Sequence, residues 1–456
     1  MENKKNIHPV DELMPKGQLF TYGLQHVMAM YAGCVAVPLI IANALKLTSE
    51  QLIILINSDL FVAGIATIIQ SLGLLNMGIK SPIVQGVSFA AVAPMVLVGQ
   101  NAGGQVPGLL AIFGATIAAG VISYAISPLF SRLIRFFPPV VTGSIITLIG
   151  ISLLPVAIRW AGGGIPGTPN FGSIQSIGMA FAVLMLVIIL YRYLKGFYSN
   201  IAVLLGLVIG TIIAIPLGMV DFSKVENAAW IGLVQPFYFG WPTFDLAGIV
   251  ALVIAMLVIM TETTGDFIAV GEIIGKPVTQ QDLTRGLRAD SFSTMLGGIM
   301  NTFPHSAFAQ NVGLVSLTRI KSRYVVVAAG MILVTLGLFP KAAAVVACIP
   351  TPVLGGAGIA MFGMVAASGI RALTAVKFEG THNAMIVAIS IGVGLIPLAV
   401  PSFYQNFPKW AQVILHSGIT SGSILAIGLN YFFNELGNNT QSPNVVTTRY
   451  AQTKNV

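Results

Sequence analysis

Charge is scarce in this chain. Only 8% of its 456 residues are Asp, Glu, Lys or Arg, against roughly a quarter in an ordinary soluble domain. A globule of this size cannot be coated with so few charges, which excludes a soluble protein of the cytosol or the exterior. Cysteine is nearly absent as well. The two present, Cys34 and Cys348, both lie among apolar residues, which excludes a disulfide framework and a zinc pattern. There is no glycine triplet period and too little polar sequence for collagen or disorder. Basic residues stand singly or in pairs between apolar runs, so the net charge of +8 reads as a topology signal and not as a nucleic-acid footprint. No P-loop, metal-ligand cluster or nucleophile–base motif is visible, so no enzyme, metal or cofactor is expected. No signal peptide is expected either. Met1–Gly17 is polar, and the first apolar segment is far longer than a signal's apolar region.

What the chain has in abundance is apolar sequence. Hydrophobic residues make up 55%, and 49 glycines and 24 prolines are spread among them, as in membrane helices that pack closely and break. A span needs about 20 apolar residues. Strong runs lie at 18–43, 51–76, 107–130, 139–160, 175–194 and 199–219, then at 244–274, 322–339, 353–373, 383–400 and 412–433. Three weaker segments remain. The segment 82–98 is short and opens on Pro82, 284–301 turns apolar only after Asp290, and 303–318 is short and contains Pro304. Counted together they predict an all-α polytopic membrane protein of fourteen spans. Its parts are an N-terminal arm at 1–17, a seven-span unit at 18–219, a connection at 220–243, a second seven-span unit at 244–433 and a polar tail at 434–456.

Charge supports that count. With the N-terminus inside, the inside segments hold Lys4, Lys5, Lys16, Lys80, Arg132, Arg135, Arg192, Lys195, Lys276, Arg285, Arg288, Arg319, Lys321, Arg323, Arg371, Lys377, Arg449 and Lys454. The outside loops hold only Lys46, Arg159, Lys224, Lys341 and Lys409. Omitting any one weak segment would invert every later loop and spoil the positive-inside asymmetry. The halves also resemble each other. Leu129-Phe130 precedes Pro139-Val140-Val141-Thr142-Gly143 as Leu338-Phe339 precedes Pro352-Val353-Leu354-Gly355-Gly356, and Val87–Val92 resembles Ser306–Val312. A duplicated unit of seven spans must insert the second time upside down. Short Pro/Gly-interrupted segments at matching places, here 82–98 and 303–318, point to a secondary transporter's binding site.

Ionisable residues inside a bilayer are costly, about 2.5–3.5 kcal/mol each on the insertion scale. Asp59, Glu262, Asp266 and Asp290 are nevertheless retained in apolar surroundings. Glu262 and Asp266, spaced i and i+4, share a helix face. Two carboxylates this close in low dielectric cannot both ionise cheaply, so one is expected to hold a proton. Such a pair suits proton coupling, capture of N–H donors or plain helix–helix hydrogen bonding. Asp290 is read as either ion-paired with Arg288 or functional, and Asp59 as either a polar helix contact or part of transport. His26 sits beside Gln25 in the middle of the first span, whereas His305 follows Pro304 at the broken segment. His8 lies in the polar arm, and His382 and His416 flank spans. Gln310 and Asn311 are adjacent buried amides that need partners. A carboxylate facing an amide suits a planar ligand with both N–H and C=O edges, such as a nucleobase, while amino acids and other polar solutes stay open.

Gln25-His26, the run Thr261–Asp266, and above all Gln310-Asn311-Val312-Gly313-Leu314-Val315-Ser316-Leu317-Thr318-Arg319 resemble the nucleobase–ascorbate transporter family. The signature has Gln-Asn, Gly two residues after the Asn and Thr five after that Gly, and this chain matches each. The resemblance covers nearly the whole chain. It implies fourteen spans in two inverted repeats, divided into core and gate domains, with short antiparallel strands in the broken third and tenth spans. It also implies a homodimer through the gate domains, in the bacterial cytoplasmic membrane with both termini inside, the proton as coupling ion, and purine base and lipid as partners. By the family's pattern Glu262 binds the base's N–H groups, Gln310 its amide-like edge, and Asn311 supports the site. His26, Asp290 and Asp266 serve affinity or proton coupling, and Phe89 lies on the third-span strand facing the ligand. Gln25–Gly33 and Asn301–Ser306 are similar to the xanthine and uric acid permease branch. One departure stands out. Many xanthine-selective members carry Asn where this chain has Ser88, and urate carriers carry a small hydroxyl, so Ser88 argues against strict xanthine selectivity.

A uracil carrier of the same family is the nearest rival. A passive channel would need a continuous polar pore, which isolated polar residues do not make, and a sulfate-type anion carrier suits a lone acidic site poorly. The charge asymmetry generates a direct expectation. Reporter fusions after Lys4 and after Lys454 should both read cytoplasmic, and a periplasmic C-terminus would remove the even span count.

Overall fold

The structure, a computed structural model, describes residues 8–130, 136–164, 166–168 and 171–436. The topology-bearing Lys4, Lys5, Arg132, Arg135, Arg449 and Lys454 lie outside the described residues, as do the first seven residues of the arm and the tail beyond 436.

A chain in lipid must satisfy its backbone N–H and C=O groups internally, and the apolar runs do so as helices. The first half contains α1 (Lys16–Leu45), α2 (Ser49–Leu72), β1 (Gln85–Val87), α3 (Val92–Asn101), α4 (Gln105–Ile126), α5 (Pro139–Ala161), α6 (Ile174–Tyr193) and α7 (Ala202–Ala214). The second half contains α8 (Leu246–Ile274), α9 (Gln280–Ile299), β2 (His305–Ala307), α10 (Ala309–Thr318), α11 (Arg323–Gly337), α12 (Pro340–Ala347), α13 (Thr351–Leu373), α14 (Asn383–Ala399), α15 (Lys409–Leu415) and α16 (Gly418–Asn430). Local chemistry sets the boundaries. Lys46 takes the left-handed conformation that ends α1, and Thr48 with Gln51 forms the capping box that starts α2. Thr279 and Asp282 do the same for α9.

Each expected run contains a helix, and the short segments 82–98 and 303–318 are each a strand followed by a helix. Two boundaries differ from expectation. The span at 322–339 continues into α12, turned by 81° from α11. Pro340 takes the first position of α12, where a missing N–H costs nothing. The span at 412–433 is divided into α15 and α16 at Ser417, whose hydroxyl caps α16 by accepting from Thr420 N at 3.2 Å. Among the described residues seven helices are long and apolar enough to cross a membrane, or eight if α11 with α12 counts as one span. The others fall short for identifiable reasons. Helix α9 carries Asp282, Arg285, Arg288 and Asp290, whereas α3, α7, α10 and α14 are short. The described part of the arm, from His8 on, packs against the helices. Val10 is buried, Asp11 pairs with Arg323 at 2.7 Å, and the Ser322 hydroxyl donates to the Glu12 carbonyl at 2.6 Å.

The helices pack in two groups. One joins α2 to α11, α4 to α8 and α9, and α1 to α11, with β1 against α2 and β2 against α8 and α9. The other is built on α5 and α13, flanked by α6, α7, α14 and α16. The α5–α13 seam is close enough that side chains are excluded from it: a Cβ on Gly150 of α5 would run into the Ala366 backbone of α13. Helices in lipid gain their association from such contact, because no hydrophobic effect separates them from the solvent. Replacing Gly150 with Leu should therefore destabilise the purified protein by about 1–3 kcal/mol, the usual cost of overpacking. A lowered melting midpoint in detergent checks this, and an unchanged midpoint would contradict the seam.

The two strands pair antiparallel, Gln85 opposite Ala307, Gly86 opposite Ser306 and Val87 opposite His305. Side-chain hydroxyls complete the backbone at their ends. Thr67 of α2 accepts from Gln85 N at 2.9 Å, Thr294 of α9 from His305 N at 3.1 Å, and Thr263 of α8 from Ala307 N at 3.2 Å.

Candidate functional site

The strand crossing brings together several residues singled out in the sequence. Glu262 and Asp266 stand one turn apart on α8, both half-buried, with Gly265 exposed between them. Gln310 is the second residue of α10, and its side chain is exposed. Helix α8 packs against both α10 and β2. A side chain added at Gly265 or at Gly313 would meet nothing within 4 Å, so these two helices present open faces beside Glu262 and Gln310. Among the described residues neither of those two side chains has a hydrogen-bond partner.

His26 and Asn311 are held differently. Asn311 Nδ2 donates to the His26 carbonyl at 2.9 Å and faces His26 Nδ1 at 3.0 Å, and both residues are buried. The pair ties α1 to α10 directly behind Gln310. Ser88 is buried, and its hydroxyl accepts from Ala90 N at 3.3 Å, capping the turn Phe89–Ala91. That turn presents Phe89, which meets Phe362 of α13 edge-to-face at 5.8 Å. Phe89 thereby touches the other helix group. Phe308, the residue that follows β2, covers Gly86 and Gly33, where a Cβ would meet its ring at 2.5 and 3.0 Å.

Asp290 is fully buried, and of its two readings the ion pair with Arg288 does not form. Residues two apart on a helix point to different faces, and the Arg288 guanidinium lies over the Tyr124 ring at 5.4 Å. Gln70 of α2 instead donates to Asp290 Oδ1 at 3.2 Å. The Thr263 hydroxyl and the Gln85 side chain lie against the same carboxyl. Asp266 is within charge–charge reach of both Glu262 and Asp290, and its Oδ2 has no hydrogen-bond partner. The three acids thus form a line from the open face of α8 into the packed interior. Sequence reasoning missed Gln70 as the hydrogen-bond partner of Asp290, Thr263 and Gln85 as its neighbours, and Phe362 as the contact of Phe89. The available signal was each polar side chain's presence in an apolar span.

Asp59 and His305 are brought together too. Cys34 Sγ donates to Asp59 Oδ2 at 2.8 Å, Thr302 Oγ1 donates to Asp59 Oδ1 at 2.7 Å, and His305 Nε2 lies 3.7 Å from Oδ1. Of the remaining histidines, exposed His382 stacks on Phe433 with ring centroids 4.8 Å apart, and His8 Nδ1 accepts from Val10 N at 3.2 Å. No group of three or more His, Cys, Asp or Glu side chains fit for a metal ion occurs among the described residues.

Known proteins resemble this chain in sequence and in shape. The model of the permease family designated Xan_ur_permease matches residues 17–403. The uric acid transporter UacT of Escherichia coli (strain K12) is 47% identical over 427 residues, 93% of this chain and 88% of the relative. The xanthine permease of Bacillus subtilis (strain 168) is 44% identical over 418 residues, 92% of this chain and 94% of the relative. Among solved structures, the transmembrane domain of a cyanobacterium bicarbonate transporter BicA is similar with a TM-score of 0.58 and 14% identity, over 91% of this chain and 97% of that one. That likeness speaks to fold alone. A multi-pass helical fold built around a strand crossing and a family match over most of its length lead to one conclusion: the chain is a membrane transporter belonging to the xanthine/uracil permease family.

Proposed function

We propose that this permease imports a purine base, xanthine or uric acid, by proton symport with alternating access. The observation that carries this reading is the presence of two accessible, unpartnered polar groups, Glu262 and Gln310, on adjoining helices with open faces. A carboxylate accepts two N–H groups and a carboxamide offers both a donor and an acceptor, which together match the two edges of a planar base. Phe89 supplies an aromatic face, and His26 with Asn311 holds α10 in place. Ser88 leaves room for the additional C8 oxygen that distinguishes urate from xanthine. The names of the relatives, a uric acid transporter and a xanthine permease, support the same substrate class.

The proposed architecture is fourteen spans in two inverted repeats, 18–219 and 244–433, with the strand-bearing helix group as core and the α5–α13 group as gate. The antiparallel pairing of the two broken segments, each the third of its half, supports the inversion. Both termini are proposed to lie in the cytoplasm, and the gate groups of two copies to form a homodimer. Phe89 against Phe362 is then a contact between core and gate, broken when the two move.

One proton entering down about 100 mV supplies roughly 2.3 kcal/mol before any pH gradient. At about 1.4 kcal/mol per tenfold, that sustains roughly 40- to 50-fold accumulation of a neutral purine. Asp290, Asp266 and Glu262 are the candidates for the proton, and Asp290 is favoured because it is removed from the open face. The direct test of function is uptake of radiolabelled xanthine, urate, uracil, guanine and hypoxanthine, with and without a protonophore. Saturable, protonophore-sensitive uptake of xanthine or urate is expected, and transport of uracil alone would overturn the reading.

Two variants probe the roles. Glu262→Gln replaces one acceptor with a donor facing a donor, and leaving a buried polar group unmatched costs roughly 1–3 kcal/mol. Affinity should fall about 5- to 150-fold, and undiminished binding at normal expression would remove Glu262 from the site. Asp290→Asn keeps an acceptor for Gln70 but cannot ionise. It should abolish accumulation driven by an imposed pH gradient without sodium, while retaining counterflow exchange. Accumulation to the wild-type level would make Asp290 a structural residue.

A further inference from the structure

The buried carboxyl of Asp59 takes no part in the site as described, yet its surroundings reproduce those of Asp290 element by element. Asp59 stands ten residues after Ser49, the first residue of α2, and Asp290 stands ten residues after Gln280, the first of α9. Each lies beside the first residue of the strand from the opposite half: Gln85 of β1 against Asp290, and His305 of β2 against Asp59 at 3.7 Å. Each is also met by a small polar side chain from the first helix of its own half, Thr263 of α8 for Asp290 and Cys34 of α1 for Asp59. Thr263 in turn accepts the backbone N–H of Ala307, the last residue of β2, at 3.2 Å, and Cys34 lies against the backbone of Val87, the last residue of β1.

The two assemblies differ in the strand that each one holds. Asp290 lies under the head of β1, which leads through Ser88 to Phe89. Asp59 holds the approach to β2 through Thr302, whose hydroxyl donates to Oδ1 at 2.7 Å, and the ring of His305, the first residue of β2, lies beside the same oxygen with Nε2 at 3.7 Å. Strand β2 leads at once into α10, with Gln310 its second residue. A carboxyl with less than 2% exposure that accepts from two side chains cannot shift without leaving them unpaired.

We propose that Asp59 is a positioning residue for substrate binding, the counterpart of Asp290: through its hydrogen bond with Thr302 it fixes the segment that leads into β2 and thereby the placement of Gln310 and Asn311. This inference rests on the proposed purine site. The tie itself is independent of the substrate, because it concerns only how firmly β2 and Cys34 are held.

The experiment compares Thr302→Val, Asp59→Leu and Asp59→Asn by xanthine and urate uptake normalised to carrier in the membrane. Cys34 alkylation by N-ethylmaleimide is measured alongside, in a Cys348→Ala background. Thr302→Val removes one hydroxyl at nearly constant volume, and Asp59→Asn preserves the acceptor that Thr302 uses. Thr302→Val and Asp59→Leu are expected to raise KM about tenfold or more, the consequence of unpairing a buried polar group, with Vmax per carrier near wild type. Asp59→Asn should recover most of that loss. Alkylation of Cys34 should quicken in Asp59→Leu, where its partner is gone. A role confined to folding would instead lower the amount of carrier and leave KM unchanged. Should Asp59→Leu fail to reach the membrane, Thr302→Val decides. A wild-type KM in Thr302→Val, or Asp59→Asn as impaired as Asp59→Leu, overturns the proposal. If the wild type takes up neither purine, the substrate reading fails, and the alkylation comparison still tests the tie: unchanged labelling in Asp59→Leu would overturn it.

Discussion

Two three-residue strands, Gln85–Val87 and His305–Ala307, set the interior of this protein. Unwinding a helix inside a membrane exposes backbone groups that lipid cannot satisfy, so irregular backbone survives there only when protein supplies the partners. Here the two broken segments supply one another. Ser88 N donates to the Pro304 carbonyl at 2.9 Å and Phe308 N to the Val84 carbonyl at 3.0 Å, extending the pairing beyond the strands. The threonines Thr67, Thr294 and Thr263 take the N–H groups of Gln85, His305 and Ala307 at the strand ends.

That requirement explains where polar residues occur in a chain that has so few. Gln70, Thr263 and Asp290 surround one end of the crossing, while Cys34, Asp59 and Thr302 surround the other. Because the crossing is anchored to α2, α8 and α9, the turns that leave it emerge at fixed positions. One carries Phe89 toward α13, and the other leads into α10, which carries Gln310 and packs against α8, the helix of Glu262. A site on short broken helices can be open and still well placed, since the strands behind it cannot move separately.

Much of this was legible in the sequence. A membrane span is announced by length and apolarity, so the helices lie where the runs predicted. Pro82 and Pro304 flagged the broken segments, and the i, i+4 spacing of Glu262 and Asp266 put both on one face. What was not legible depends on contacts between distant parts of the chain. Nothing local indicates that Asn311 bonds to His26, 285 positions away, or that Asp59 finds Thr302. Nor does nearness in sequence decide between the two readings of Asp290, since Arg288, two residues away, lies on another face of the helix over Tyr124. The bend at Pro340 and the division at Ser417 change no run length, so an apolar window passes over both.

The proposed site stands or falls on where a purine binds. A structure of the purified protein with xanthine or urate, determined in a lipid nanodisc by electron microscopy, locates it. The base is predicted to lie with its N–H edge against Glu262, its amide-like edge against Gln310, and Phe89 at its face. A base bound at the strand crossing but contacting neither Glu262 nor Gln310, or bound elsewhere in the fold, would contradict the site.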